Sequence, residues 1–180
     1  MPDFILKQGA HYHRMPPFST LPWLGEKRMK RCVTFDTSCA YDSAAYNADD
    51  VNKLFGLSFG FGGVHHNSAR FGWRWSKSAQ CIELLAYCYV NGVRNQDAQL
   101  RFPVVAQVGL NERIELEIVA CEHKGQFAYI FKVKRVHEIF DHTTVAGGPD
   151  SLPGFGLTHG LYFGGVLTAP HEMSVKIDRV

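Results

Sequence analysis

The segment RIELEIVACEHKGQFAYIFKVKRV, residues 113 to 136, decides the fold class of this chain. In its first half aliphatic residues alternate with glutamates, and in its second half aromatic and aliphatic residues alternate with lysines. Alternation with a period of two is typical of a strand with one face in the core and one in water. Lys124-Gly125 separates the halves, at a position where positive φ angles form a type I′ turn. The segment therefore predicts an antiparallel hairpin.

Other short segments rich in β-branched and aromatic residues predict further strands. They are RCVTFD (31–36), FGWRW (71–75), QCIELLAYCYV (80–90), LRFPVVAQV (100–108) and HEMSVKIDRV (171–180). Asn91-Gly92 follows the third of these and predicts a second tight turn. Only residues 43–56 could hold a helical turn or two. The pattern predicts an all-β, antiparallel β-sandwich of jelly-roll type with little helix.

The length of 180 residues predicts a single β-sandwich domain over residues 1–180. Two long segments resist assignment to strands: a Pro-rich N-terminal arm at about 8–29, and residues 138–160. Long irregular segments in compact domains are more often functional or interfacial than accidental. If the protein is a structural component of a larger particle, we expect the arm to be buried against a neighbour.

Composition narrows the classes of partner. The net charge is +2 and the basic residues are dispersed, so nucleic acid is not an expected partner. No apolar run approaches the roughly 20 residues that span a bilayer, and the N-terminus has no secretory pattern, so we expect cytoplasmic synthesis without a signal peptide. The five cysteines include no CxxC pair, which favours reduced thiols over a disulfide framework.

Three phrases carry a resemblance: CIELLAYCYVNGVR, the hairpin that follows it, and LYFGGVLTAPHEMSVKI near the C-terminus. Their succession resembles concanavalin A-like lectin and glucanase sandwiches. NKLFGLSFG, NSARFGWRW and YFGGVLTAPHEM are also similar to an uncharacterised group of small β-proteins of Bacteroidetes and their phages. The resemblance implies a carbohydrate-binding fold. It does not extend to glycosidase activity, because IELEI lacks the third acid of the ExDxxE arrangement of family-16 glucanases.

The first candidate site is GGVHHNSARFGWRW, residues 62–75. An exposed aromatic row could stack on sugar rings, while arginine and asparagine bind hydroxyls or carboxylates. The alternative is that the aromatic residues belong to the core. The expected ligand-binding residues of this segment are His65, His66, Asn67, Arg70 and Trp73.

The second candidate is YFGGVLTAPHEM, which contributes Tyr162 and His171 to the same expected site. The HYH triplet at 11–13 has a usable spacing for zinc, and the acidic pairs Asp49-Asp50 and Asp36 with Asp42 could bind calcium. No third zinc ligand is identified by the sequence. We therefore expect no cofactor, with calcium or zinc as an open alternative.

The sequence thus favours non-catalytic, lectin-like carbohydrate binding, with a glycan as the partner. The alternative is a structural protein, such as a phage virion decoration or fibre component, that works as a homo-oligomer. A third interpretation is a His-dependent phosphoesterase, in which His66 and His142, each two residues before a hydroxyl residue, act as acid and base. It requires both histidines in one pocket.

Overall fold

The computed structural model describes residues 3–13, 21–25, 27–42, 51–99, 101–135 and 142–180, without the side chains of residues 142–146. Thirteen strands and one 3-10 helix, Thr37–Cys39, lie in these residues. The first seven strands are β1 (Asp3–Leu6), β2 (Pro22–Leu24), β3 (Arg28–Phe35), β4 (Asn52–Phe59), β5 (Ser68–Ser76), β6 (Cys81–Val90) and β7 (Val93–Arg94). The other six are β8 (Val104–Val108), β9 (Arg113–His123), β10 (Gln126–Arg135), β11 (His142–Gly147), β12 (Phe155–His159) and β13 (Met173–Arg179).

The strands form two sheets. Sheet A has six strands in the order β1-β13-β3-β9-β10-β11. Sheet B has seven, in the order β2-β12-β4-β5-β6-β7, with β8 also paired to β6. All of these pairs are antiparallel. The all-β, antiparallel sandwich predicted from the sequence is confirmed.

The hairpin predicted at residues 113–136 is formed by β9 and β10. His123 and Gln126 close the ladder, and the two turn residues between them have φ angles of 53° and 77°. Asn91 and Gly92 form the second predicted turn, with φ angles of 48° and 84°. Both turns have the positive φ at two successive residues that a type I′ turn requires.

The main core lies between the two sheets and is rich in aromatic rings. Side chains of strand β5 alternate between this core and the outer face of the sheet. Phe71, Trp73 and Trp75 are buried in the core, whereas Arg70 and Arg74 lie on the opposite face. The aromatic row of the first candidate site therefore packs inside the sandwich. Its burial follows from the strand period of two, which sends all three rings to one side.

The helical turn considered for residues 43–56 is wrong where it can be checked. Residues 43–50 lie outside the described residues, and from Asn52 onward the chain forms strand β4. β4 is paired on one side with β5 and on the other with β12, and every one of its residues is buried. Pairing on both edges provides hydrogen-bond partners for the backbone N–H and C=O groups of β4. The tertiary context therefore overrides the weak helical preference of the sequence.

The two segments left unassigned by the sequence contain short strands. β2 and the start of β3 lie within residues 8–29, of which residues 14–20 and 26 are outside the described part. β11 and β12 lie within residues 138–160. All five cysteines are free thiols, as predicted. Within the described ranges, no helix has the length and apolar character needed to cross a membrane.

Candidate functional site

The outer face of sheet B, which points away from sheet A, carries a row of polar and aromatic side chains. In the register of the ladders, His159 of β12 is opposite Gly56 of β4, Gly56 is opposite Arg70 of β5, and Arg70 is opposite Tyr87 of β6. Residues opposite one another in a sheet present their side chains on the same face. We call His159, Gly56, Arg70 and Tyr87 the cross-strand row.

Arg70 is the central side chain of this row. It is only 8% exposed, and its guanidinium carbon lies 5.0 Å from the centroid of the Tyr87 ring. Its buried Nε has no hydrogen-bond partner, and within the described residues no carboxylate forms an ion pair with it. Burial lowers the pKa of Arg70. A buried charge is normally paired with an opposite charge, but in the described residues the guanidinium of Arg70 lies against the Tyr87 ring instead.

Gly56 makes room for the Arg70 side chain. A Cβ atom at this position would lie 2.2 Å from the carbonyl oxygen of Ala69 and 2.5 Å from Cγ of Arg70. Only glycine permits so close an approach. The missing side chain at Gly56 therefore leaves room for the stem of Arg70, whose guanidinium lies over the Tyr87 ring on the neighbouring strand β6.

A second cation, Lys53, lies beside the row. Its Nζ donates to the carbonyl oxygen of Gly164 at 3.0 Å and lies 5.0 Å from the Tyr87 ring centroid and 5.5 Å from that of Tyr162. Burial, reinforced by Tyr89, raises the pKa of Tyr87 to about 12, against the opposing charge of Arg70. Tyr87 therefore stays a neutral phenol at physiological pH, between two positive charges.

His159 completes the row on its other side. Its Nε2 lies 2.9 Å from Oγ of Ser58, and that hydroxyl donates to the carbonyl oxygen of Leu157 at 3.5 Å. Burial, followed by the charge of Arg70, lowers the pKa of His159 to about 4. The imidazole is therefore neutral at physiological pH.

Three of the residues expected from the sequence lie on this face. Arg70 is at its centre, and Tyr162 borders Lys53. His65 lies at the loop end of the sheet, where its ring packs edge-on against Tyr89 with centroids 5.2 Å apart. Tyr89 belongs to the same outer face, two residues beyond Tyr87 on β6.

Two further residues lie in the connection between β4 and β5. His66 is exposed and packs against the backbone at Gly62. Asn67 is buried, and its Oδ1 accepts from the backbone N–H of Asn91 at 2.7 Å. Asn67 therefore ties this connection to the β6–β7 turn.

Two expected residues do not reach the face. Trp73 is 0% exposed in the core, so its ring cannot stack on a sugar. His171 has its Nε2 2.7 Å from the carbonyl oxygen of Ser38, which links the start of β13 to the 3-10 helix. The sequence pattern did not separate these two from the rest, because tryptophan and histidine are common in both cores and sites.

The described residues contain no group of three or more His, Cys, Asp or Glu side chains arranged to hold a metal ion. Of the HYH triplet, His11 stacks on Tyr162 and His13 packs edge-on against Phe4. Asp36 caps the 3-10 helix by accepting from the backbone of Ser38. Asp49 and Asp50 lie outside the described residues.

The phosphoesterase interpretation needs His66 and His142 together. The backbone of His142 lies at the edge of sheet A, in β11, whereas His66 follows β4 of sheet B. The side chain of His142 is outside the described residues.

Sequence reasoning missed four residues of the face: Lys53, Ser58, Tyr87 and His159. A lysine and a serine within the apolar run of β4 were the available signal for two of them. Tyr87 was hidden in a run that reads as buried on both faces, and nothing in the sequence near His159 indicates a partner for it.

No family model matches this chain, and no curated protein matches it. Among solved structures it is similar to an endo-β-1,4-glucuronan lyase from the fungus Trichoderma reesei. The identity is 12%, the TM-score is 0.50, and the match covers 98% of this chain and 77% of the lyase chain. At this identity the likeness shows a shared β-sandwich fold.

Proposed function

We propose that this protein binds an acidic polysaccharide through the cross-strand row, with a uronate carboxylate on Arg70. The observation that carries the proposal is the buried guanidinium with an unpartnered Nε and no carboxylate beside it in the described part of the chain. An incoming carboxylate supplies both the missing charge and the missing hydrogen-bond acceptor.

Aromatic rings beside the cation suit a sugar better than a small inorganic anion. Tyr162 lies 5.5 Å from Lys53 and is only half-buried, whereas Tyr87 is buried and stacked on Phe102, so Tyr162 is the ring that a sugar can reach. Sugar rings have apolar C–H faces that pack on such rings, while their hydroxyls bind polar neighbours. The fold shared with a glucuronan lyase is in keeping with a carbohydrate ligand, although fold alone does not specify function.

Binding is tested by titrating oligomers of β-1,4-glucuronate and, as the neutral comparison, cello-oligosaccharides, both followed by calorimetry. We expect the glucuronate oligomers alone to bind, and the affinity to fall as salt is raised. Equal binding of the neutral oligomers would overturn the role of the carboxylate.

The matched variants are Arg70→Met and Arg74→Met. Arg74 lies on the same strand and face, but its Nε is paired with Glu83 at 2.7 Å. Arg70→Met should weaken glucuronate binding at least about tenfold, through loss of a charge-assisted contact. Arg74→Met should bind as the unmodified protein does. Similar losses in both variants would contradict a specific site.

A second candidate function, β-elimination at the same site, is favoured by the neutral imidazole of His159 beside Arg70. A cation on the carboxylate acidifies the neighbouring C5–H, and a neutral base can then remove that proton. The electron pair forms a C4–C5 double bond, the C4–O bond breaks, and the leaving oxygen takes a proton from water. This candidate departs from the non-catalytic binding expected from the sequence.

The two candidates are separated by incubating the protein with polyglucuronate and recording ultraviolet absorbance, which rises when the double bond forms in conjugation with the carboxylate. A rise that His159→Gln abolishes, with binding retained, supports elimination. Binding with no rise leaves recognition as the function. The assembly alternative stays a prediction from the sequence, and light scattering tests it.

A further inference from the structure

A large cavity opens at one lateral edge of the sandwich, between the β1-β13-β3 side of sheet A and the β4-β12 side of sheet B. Its volume is about 960 Å³. Most of its wall is apolar and comes from both sheets: Phe4, Met29, Leu54, Phe55, Leu161 and Ile177. Polar side chains complete the lining: Asp3, His13, Arg31, Arg113, Thr158, His159, Asp178 and Arg179. Cavities of this size that combine apolar walls with polar groups are typical of small-molecule sites.

Three arginines line this cavity, Arg31, Arg113 and Arg179, and two of them are opposite one another in sheet A. Arg31 of β3 is opposite Arg179 of β13 in the ladder. Met29 and Val33, the neighbours of Arg31 at the alternate positions, are buried between the sheets, and so is Ile177 beside Arg179. The strand period of two therefore directs both arginines inward. Both line the cavity, Arg31 half-buried and Arg179 exposed at its mouth.

The acids that line the cavity form no ion pair with Arg31 or Arg179 in the described residues. The guanidinium of Arg31 donates to the backbone carbonyl of Lys30 at 2.6 Å. Asp3 and Asp178 line the same cavity, but they occupy the alternate positions, which face outward. Burial, and after it the charge of Arg179, lowers the pKa of Arg31. The lowered pKa reflects the repulsion between the two positive charges as well as desolvation.

We propose that this cavity is a second ligand site, which shares only His159 with the cross-strand row, and that it binds a fatty-acid-like molecule: an aliphatic chain along the apolar wall with its carboxylate between Arg31 and Arg179. The carboxylate offsets the repulsion of the two guanidinium groups and accepts their hydrogen bonds. The apolar wall takes the chain out of water.

The test is calorimetry with dodecanoate, and with dodecyltrimethylammonium as a ligand of equal chain length and opposite charge. We expect dodecanoate to bind with one-to-one stoichiometry and the cation not to bind. Absence of dodecanoate binding overturns the proposal, and so does equal binding of the cation. Neither result depends on a variant that could fail to fold.

Variants then locate the site. Arg31→Gln with Arg179→Gln should weaken dodecanoate binding by about tenfold or more. Lys176→Gln is the matched control, since Lys176 is exposed on the outward face of the same strand. Arg70→Met should leave dodecanoate binding unchanged. Loss of binding in Lys176→Gln or Arg70→Met, with the double arginine variant unaffected, would place the ligand elsewhere and refute the assignment.

Discussion

Arg70 and His159 flank Gly56 in one cross-strand row of sheet B, and the two side chains are electrostatically linked. Burial, and after it the guanidinium charge of Arg70, lowers the pKa of His159 to about 4. The row thus combines a cation that lacks an anionic partner in the described structure with a neutral imidazole. Both properties depend on three strands that are brought together from distant parts of the chain.

Removing the Arg70 charge should not destabilise the protein in the absence of ligand. A buried guanidinium without an acid partner is costly to desolvate, so Arg70→Met is expected to leave the free energy of unfolding unchanged or raise it by about 1 kcal/mol. Urea unfolding of the two proteins measures this. A large loss of stability would show that Arg70 is structural, and would weaken the proposed function.

Stability should fall in acid partly through His159. Its pKa is about 4 in the folded state and 6.5 when unperturbed, so between these values the unfolded state binds more protons. Stability therefore rises with pH through this window and is lost as the pH falls from 6.5 toward 4, by at most about 3 kcal/mol. Urea unfolding at pH 4.5 and 7 measures the difference.

His159→Gln is the comparison for that measurement. It should lose less stability between the two pH values than the unmodified protein does. The pKa of His13 is also lowered by burial, so some pH dependence remains in the variant. Identical pH dependence in both proteins would show that His159 titrates normally and that the imidazole is not desolvated.

Gly56→Ala should disturb the row more than its single methyl group suggests. The new Cβ would lie 2.2 Å from the Ala69 carbonyl oxygen and 2.5 Å from Arg70 Cγ, so the strand or the arginine must shift. We expect a loss of about 2 kcal/mol in stability, measured by urea unfolding, together with weaker glucuronate binding. Gly154→Ala is the control, because nothing lies within 4 Å of its added Cβ.

The two buried thiols should resist alkylation in the native state. Burial raises the pKa of Cys39 to about 12 and raises that of Cys88 well above its usual value. Iodoacetamide reacts with the thiolate, so both should be labelled only on unfolding, whereas the half-buried Cys32 and Cys121 react earlier. Mass spectrometry of the labelled peptides measures the order in which the cysteines are alkylated. Early labelling of Cys88 would show that sheet B opens readily.

The sequence by itself determined the features that depend on near neighbours in the chain. Alternation in residues 113–136 and the turns at Lys124-Gly125 and Asn91-Gly92 specify antiparallel strands, because side-chain direction and turn geometry are local properties. Side chains also alternate between the two faces along β5, so the sequence indicates that Arg70 and Trp73 lie on opposite faces of that strand. The sequence did not say which of those faces was buried between the sheets.

Tertiary structure alone decided the candidate site. Residues 56, 70, 87 and 159 meet because β12, β4, β5 and β6 are neighbours in sheet B, and strand order and register are set by long-range pairing that no local pattern encodes. Pairing with β5 and β12 also makes residues 52–59 a strand, although the sequence of residues 43–56 had suggested a helical turn. Burial of Arg70 and the lowered pKa of His159 follow from that assembly, because desolvation is a property of the folded surroundings and not of the residue.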